Sequence, residues 1–132
     1  MKKKSDEILF PSFIMNSDND QPIVRELYAG ISVKGELIVC IKHTDYDDKR
    51  YNCSTCAVIS RDETKKLARK LKVKFQNLPR FISDCMSDWD EIVNPTIRQV
   101  YECFKEVTEC ILDEGCRFKI KRKYGLHGYM CC

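Results

Sequence analysis

The spacing of apolar residues changes at Ser60, and this change constrains the fold more than any other feature of the 132-residue chain. Before Ser60, apolar residues alternate with polar ones or run continuously, as they do in β-strands. After Ser60, they recur three and four positions apart, as they do on the buried face of a helix. Strands followed by helices are typical of an α+β fold, and a chain of this length buries one core. We therefore predict a single α+β domain over residues 1–132.

The strands are predicted from four stretches. The segments LYAGISV and ELIVCIKHT flank Lys34-Gly35, a short turn in which Gly supplies a positive φ, and they predict a β-hairpin. STCAVIS predicts a third strand, and the alternating CRFKIKRK predicts a C-terminal strand that joins the same antiparallel sheet, half-exposed or at its edge. Residues 1–22 are polar and include NSDNDQP, so we expect a loosely ordered N-terminal arm.

Three helices are predicted after Ser60, all packed on one face of that sheet. Ser60 and Glu63 have the spacing of a capping box, in which each side chain accepts from the backbone N–H of the other residue. The apolar residues between positions 78 and 89 lie on one helical face and predict a second helix. Asn94-Pro95 is expected to cap and open a third helix, which Gly115 ends.

The chain has nine cysteines, and four candidate metal ligands lie in the segment CIKHTDYDDKRYNCSTC, residues 40–56. Cys40, His43, Cys53 and Cys56 have the residue types and spacing of a structural zinc site. Cys53 and Cys56 alone have the spacing of a redox pair. The interpretation favoured most is that these cysteines are packed as small apolar residues. Residues three apart on a strand point to opposite faces, which weighs against the zinc site.

The N-terminal sequence bears on the compartment. MKKKSDEILFPSFIMNSDND contains neither a secretory apolar segment nor one long enough to cross a membrane. We therefore expect a cytoplasmic protein that does not act at a membrane. Its cysteines are expected to be reduced, because disulfides are rare in that compartment.

The net charge is only +3, but the cations are concentrated in two segments. If these segments meet in the fold, they form a basic surface for phosphate or for an acidic protein. The alternative is that each segment is an ordinary solvated face. The candidate binding residues are Lys65, Lys66, Arg69, Lys70, Lys72, Arg117, Lys119 and Lys121.

The first of these segments has apolar residues at suggestive positions. ETKKLARKLKVKFQNLPRFISD resembles a helix-turn-helix DNA-binding motif, and the resemblance covers about 22 residues. It implies that the second helix enters the major groove while cations of the first contact phosphates. Lys72 stands where the motif commonly has a turn Gly, and Pro79 stands where the second helix should be under way.

These observations favour a small, soluble, non-enzymatic protein that binds a macromolecular partner and regulates or inhibits it. The chain has no Gly-rich phosphate loop, no Gly-x-Ser-x-Gly motif and only two histidines, and no cofactor is expected other than zinc. A protein is the partner favoured most, nucleic acid comes second, and an open edge at 117–123 allows a homo-oligomer. An accessory protein of a phage or mobile element fits this profile. The alternatives are a DNA-binding regulator that uses segment 61–82, a small zinc-knuckle protein, and a binder of a small ligand.

Overall fold

The computed structural model describes residues 7–17, 23–92 and 94–123. Five strands form one antiparallel sheet in the order β1-β2-β3-β4-β5, and three α-helices lie between the last two strands in the chain. This architecture confirms the α+β prediction. The strands are β1 (Ile8–Asn16), β2 (Ile23–Ser32), β3 (Leu37–Asp45), β4 (Cys53–Ile59) and β5 (Lys119–Lys123), and the helices are α1 (Arg61–Leu71), α2 (Leu78–Cys85) and α3 (Ile97–Asp113).

The core lies between one face of the sheet and the helices. Alternate residues of the central strands point to that face, so the sheet contributes Leu27, Val39 and Ile59, each almost fully buried. The helices contribute apolar side chains at helical spacing, and α2 and α3 pack across β1, β2 and β3. Within the described residues, no helix is long and apolar enough to cross a membrane.

The Thr64 side chain links α1 to the sheet through three buried or partly buried hydrogen bonds. Its hydroxyl accepts from the Leu37 backbone N–H at 3.0 Å and lies 3.0 Å from the Ile59 carbonyl oxygen and 2.7 Å from that of Ser60. The side chain of Thr64 is fully buried. A single hydroxyl therefore links the first turn of α1 to the start of β3 and the end of β4.

Residues 8–16 of the predicted N-terminal arm form β1, whereas residues 1–6 and 18–22 of that prediction lie outside the described residues. The alternation of β1 is hard to recognise because the pairing with β2 shifts register twice, between Leu9 and Ser12 and between Phe13 and Met15. Phe10 also has a φ of 52°, which interrupts the regular strand.

Two helix boundaries also differ from the sequence predictions. The apolar stripe from 78 to 89 does not form one helix, because α2 ends at Cys85 and a 3-10 turn follows at Ser87–Glu91. The cap of α3 is Thr96, whose side chain forms a capping box with Gln99, whereas Asn94 adopts a φ of 55° before the helix.

We predict that Thr64→Val lowers the free energy of unfolding by about 1–3 kcal/mol, because the Leu37 N–H loses its buried acceptor. Thr108→Val is the matched control: Thr108 is also buried, but its hydroxyl donates only to the Lys105 carbonyl one turn earlier in the same helix. Chemical denaturation of both variants measures the difference. Equal losses in the two variants would contradict the fastening role of Thr64.

Candidate functional site

Cys40 and Cys56 form a disulfide between β3 and β4. The two residues are direct partners in the antiparallel register, so the bond joins neighbouring strands rather than closing a loop at the protein surface. This bond corrects the expectation that the cysteines are reduced. Disulfides are rare in cytosolic proteins, so the disulfide weighs against the cytoplasmic prediction, which stays a prediction.

Three residues further along β3, His43 pairs with Cys53 on β4. The side chains of this pair point to the face of the sheet opposite to that of Cys40 and Cys56. His43 is buried beside Arg25, its partner on β2, and its Nδ1 has no hydrogen-bond partner among the described residues. Burial and then the Arg25 charge lower the pKa of His43 below the usual 6.5. The imidazole is therefore held neutral in the folded protein at pH 7.

The structure does not support the zinc site that Cys40, His43, Cys53 and Cys56 suggest. A cysteine binds zinc as a thiolate, and the sulfur atoms of Cys40 and Cys56 are bonded to each other. The two register pairs also lie on opposite faces of the sheet, so the four side chains do not converge. In the described part of the chain, no group of three His, Cys, Asp or Glu side chains is arranged to hold an ion.

The redox interpretation of Cys53 and Cys56 is not supported either. The two residues point to opposite faces of β4, and Cys56 is already bonded to Cys40. A reactive pair also needs its thiolate at a helix N-terminus, whereas α1 begins five residues after Cys56 at Arg61.

The two basic segments do meet in the structure, and Glu63 is the residue that joins them. Its Oε1 accepts from the Arg117 backbone N–H at 3.0 Å, and its Oε2 lies 3.3 Å from Lys66 Nζ. The Arg117 N–H first, and then Lys66, hold the pKa of Glu63 below its usual value. The capping-box prediction is therefore half correct. The Ser60 hydroxyl accepts from the Glu63 N–H at 3.3 Å, but the Glu63 carboxylate accepts from the backbone N–H of Arg117, two residues before β5, instead of from Ser60.

A second contact connects the far end of α1 with the end of α3. Lys70 Nζ donates to the Glu114 backbone carbonyl at 3.0 Å and lies 3.3 Å from the Glu114 carboxylate. Cys116 follows, and its thiol donates to the Glu63 backbone carbonyl at 3.7 Å. The segment from Glu114 to Arg117 is thus fixed along α1, and β5 begins beside it.

The predicted cationic residues lie on both sides of this junction, those of α1 on the helix layer and Lys119 and Lys121 on the opposite face of the sheet, and we call them together the basic surface. Lys65, Lys66, Arg69 and Lys70 are exposed on α1. Arg117, Lys119 and Lys121 are exposed on and before β5 and line one depression together with Glu63 and Ser60. Lys72 is exposed at the end of α1, where its φ of 60° supplies the turn conformation that usually requires Gly.

The structure has two consecutive helices, α1 and α2, where the sequence resembles a helix-turn-helix motif. The second helix is not available to enter a DNA groove, because it packs against the sheet. α2 packs against β1 and β2, and its Ser83 hydroxyl lies 2.6 Å from that of Ser12 on β1. On its exposed side, Arg80 pairs with Asp84 at 4.0 Å. This surface has no excess of cations with which to approach DNA phosphates.

Sequence reasoning assigned the apolar stripes of the helices to the core and missed a groove between them. The groove has a volume of about 280 Å³, and the exposed thiols of Cys85 and Cys110 lie along it. Its lining residues are Leu67, Leu71, Phe81, Ile82, Cys85, Met86, Val107, Cys110, Ile111 and Glu114. Glu63 and Glu114 were also missed as the links between the basic segments, because a contact so distant in sequence leaves no local pattern.

Comparison with models of protein families, with curated proteins and with solved structures finds no match for this chain. Function therefore has to be inferred from the side chains themselves.

Three successive labelling steps test the disulfide assignment: native protein, denatured protein, and denatured protein after reduction, each with a distinguishable alkylating reagent near pH 8. We expect Cys85 to react in the first step because it is exposed. Cys103 should react only in the second, because burial raises its pKa to about 12. Cys40 and Cys56 should react only in the third.

Peptide mapping by mass spectrometry identifies the label on each cysteine, and the zinc content is measured on the same preparation. Alkylation of Cys40 and Cys56 before reduction would contradict the disulfide. If stoichiometric zinc were also found, the zinc hypothesis would replace it.

Proposed function

We propose that this protein is a non-enzymatic binding protein that regulates or inhibits a macromolecular partner through its basic surface, and that the partner presents an acidic protein surface. The observation that carries the proposal is the bond from the Arg117 backbone to Glu63, which brings the basic segments of α1 and β5 to one edge of the sheet. The contact of Lys70 with Glu114 supports the same arrangement.

The charge balance of the surface supports an anionic partner. α1 contains five cations and two acids, and the Glu63 carboxylate is already engaged by Arg117 and Lys66. β5 contains four cations and no acid. Exposed cations of this kind raise the rate of encounter with an anionic surface and give an interaction that salt weakens.

The proposal of a non-enzymatic role rests on the separation of His43 from the buried thiols. His43 faces Arg25 at one end of the sheet, whereas Cys103 is buried on α3 and Cys116 follows α3 beside α1. Catalysis needs a nucleophile or base held by a second group that orients it within a pocket. The surface cations instead lie on an open face suited to association.

Nucleic acid is the second candidate, and the same basic surface favours it. Lys and Arg side chains on α1 and β5 can contact phosphates without reading bases. The packing of α2 against the sheet argues against the groove-reading mode that the sequence resemblance implies. Such binding would therefore be independent of base sequence.

Charge reversal on both halves of the surface tests the proposal. We expect Lys119→Glu/Lys121→Glu and, separately, Lys65→Glu/Arg69→Glu to weaken binding of fluorescent polyglutamate about tenfold, because each variant removes two attractions and adds two repulsions. Fluorescence anisotropy at low salt measures the affinity, and added salt should weaken wild-type binding.

The matched control is Arg98→Glu/Lys105→Glu, which makes the same charge change at two exposed positions of α3. It should alter the affinity by less than about twofold. Absence of wild-type binding at low salt, or an equal loss in the control, would contradict the proposal. Tighter binding of duplex DNA than of polyglutamate, with a steep dependence on salt, would favour the second candidate instead.

A further inference from the structure

The two edges of the sheet are built differently. The β1 edge contains Pro11, two register shifts and the positive φ of Phe10, all of which hinder the addition of another strand. β5 is regular: its five residues pair with β4 without a shift, and all five are exposed. Among the described strands, β5 therefore provides the edge that is better suited to pair with an added strand.

The direction of the β5 backbone groups follows from the position of the disulfide. The Cα atoms of Cys40 and Cys56 are 4.1 Å apart, which is typical of an antiparallel pair that exchanges no backbone hydrogen bonds. The N–H and C=O of Cys56 therefore point away from β3 and towards its β5 partner, Lys121. Because successive residues alternate, the N–H and C=O of Ile120 and Arg122 point away from β4, towards the edge.

The two faces of β5 differ in their side chains. Lys119 and Lys121 lie on the face of the sheet away from the helices, whereas Ile120, which is 38% exposed, lies on the helix side together with Arg122. A strand added beside β5 would meet ammonium groups on one face, and one apolar side chain beside a guanidinium group on the other. An acidic segment with an apolar residue opposite Ile120 complements this pattern.

We propose that β5 binds an extended acidic segment of the partner protein as a sixth strand of the sheet. Acidic side chains of the segment lie on the face of Lys119 and Lys121, and an apolar side chain packs against Ile120 on the other face, beside Arg122. Backbone hydrogen bonds to Ile120 and Arg122 supply affinity, and the different side chains of the two faces supply specificity. This inference rests on the proposed function, because the basic surface is what selects an acidic segment.

Charge argues against the other occupants of this edge. A second copy of the chain paired through β5 would place Lys and Arg side chains beside Lys and Arg side chains, and like charges on adjacent strands are destabilising. Duplex DNA has no peptide backbone with which to continue the ladder. An acidic polypeptide satisfies both the charges and the backbone groups of the edge.

The variant Ile120→Pro tests the backbone contribution without changing any charge. Proline removes the edge-facing N–H but no N–H that bonds to β4, and it is tolerated on edge strands. The probe is a fluorescent octapeptide of alternating glutamate and valine. We expect Ile120→Pro to weaken its binding about tenfold, whereas the control Ile120→Thr, which keeps the N–H and a β-branched side chain, should remain within about twofold.

Amide hydrogen exchange on the wild-type protein gives a second measurement that does not depend on how the proline variant folds. Addition of the octapeptide should slow exchange at Ile120 and Arg122, whose N–H groups face the edge. Exchange at Lys121 should change less, because its N–H already bonds to β4. Circular dichroism and the thermal midpoint show whether Ile120→Pro retains the fold.

The outcomes separate this inference from the proposed function. If Ile120→Pro binds normally and the two amides are unaffected, while Lys119→Glu/Lys121→Glu loses affinity, strand pairing is wrong and the basic surface stands. If all these variants bind normally, both proposals are wrong. Tighter binding of duplex DNA than of the octapeptide, or a dimer that Ile120→Pro dissociates, would overturn the acidic-segment partner.

Discussion

The inner face of the sheet must be covered, because Leu27, Val39 and Ile59 would otherwise face water, and the helices that follow β4 cover it. Burial of apolar surface is worth about 25 cal/mol per Å², so this contact is the main source of stability for the domain. Thr64 fixes the first helix at the point where the chain leaves the sheet. The later helices then pack across the strands from a defined starting position.

The covering layer also determines where the cations lie. The chain leaves the sheet after β4 and returns beside the same strand as β5, so the end of α3 and the approach to β5 must run along α1. Glu63 and Lys70 bond to that returning segment at Arg117 and Glu114. Two basic stretches that are far apart in sequence thereby meet at one edge of the sheet, and the proposed binding edge follows from the topology rather than from a local motif.

Local sequence predicted the parts of the fold that local forces determine. The hairpin at Lys34-Gly35 was predictable because a Gly turn joins two apolar runs, and the α1 and α3 helices were predictable from their apolar periodicity. β1 was not, because Pro11 and the register shifts disrupt its alternation. Its membership of the sheet depends on pairing with β2, which is a non-local interaction.

For the candidate functional site, the sequence predicted which residues take part but not how they are arranged. The basic segments were visible in the sequence, but their junction depends on whether Glu63 bonds to its own helix cap or to a backbone N–H 54 residues away. The spacing of Cys40, His43, Cys53 and Cys56 suggested metal binding, whereas strand register pairs Cys40 with Cys56 and places the other two on the opposite face. Register is not encoded in the spacing of cysteines, so sequence alone could not choose between these arrangements.

The junction at Glu63 is the central claim, and the pH dependence of the Arg117 backbone amide tests it most directly. NMR chemical shifts of this amide should change as Glu63 is protonated, with a midpoint pKa below the ordinary 4.5, because the Arg117 N–H and Lys66 favour the ionised carboxylate. The change should disappear in Glu63→Gln. An Arg117 amide that does not titrate, or one that titrates at 4.5 or above, would show that the Glu63 carboxylate does not join the basic segments of α1 and β5.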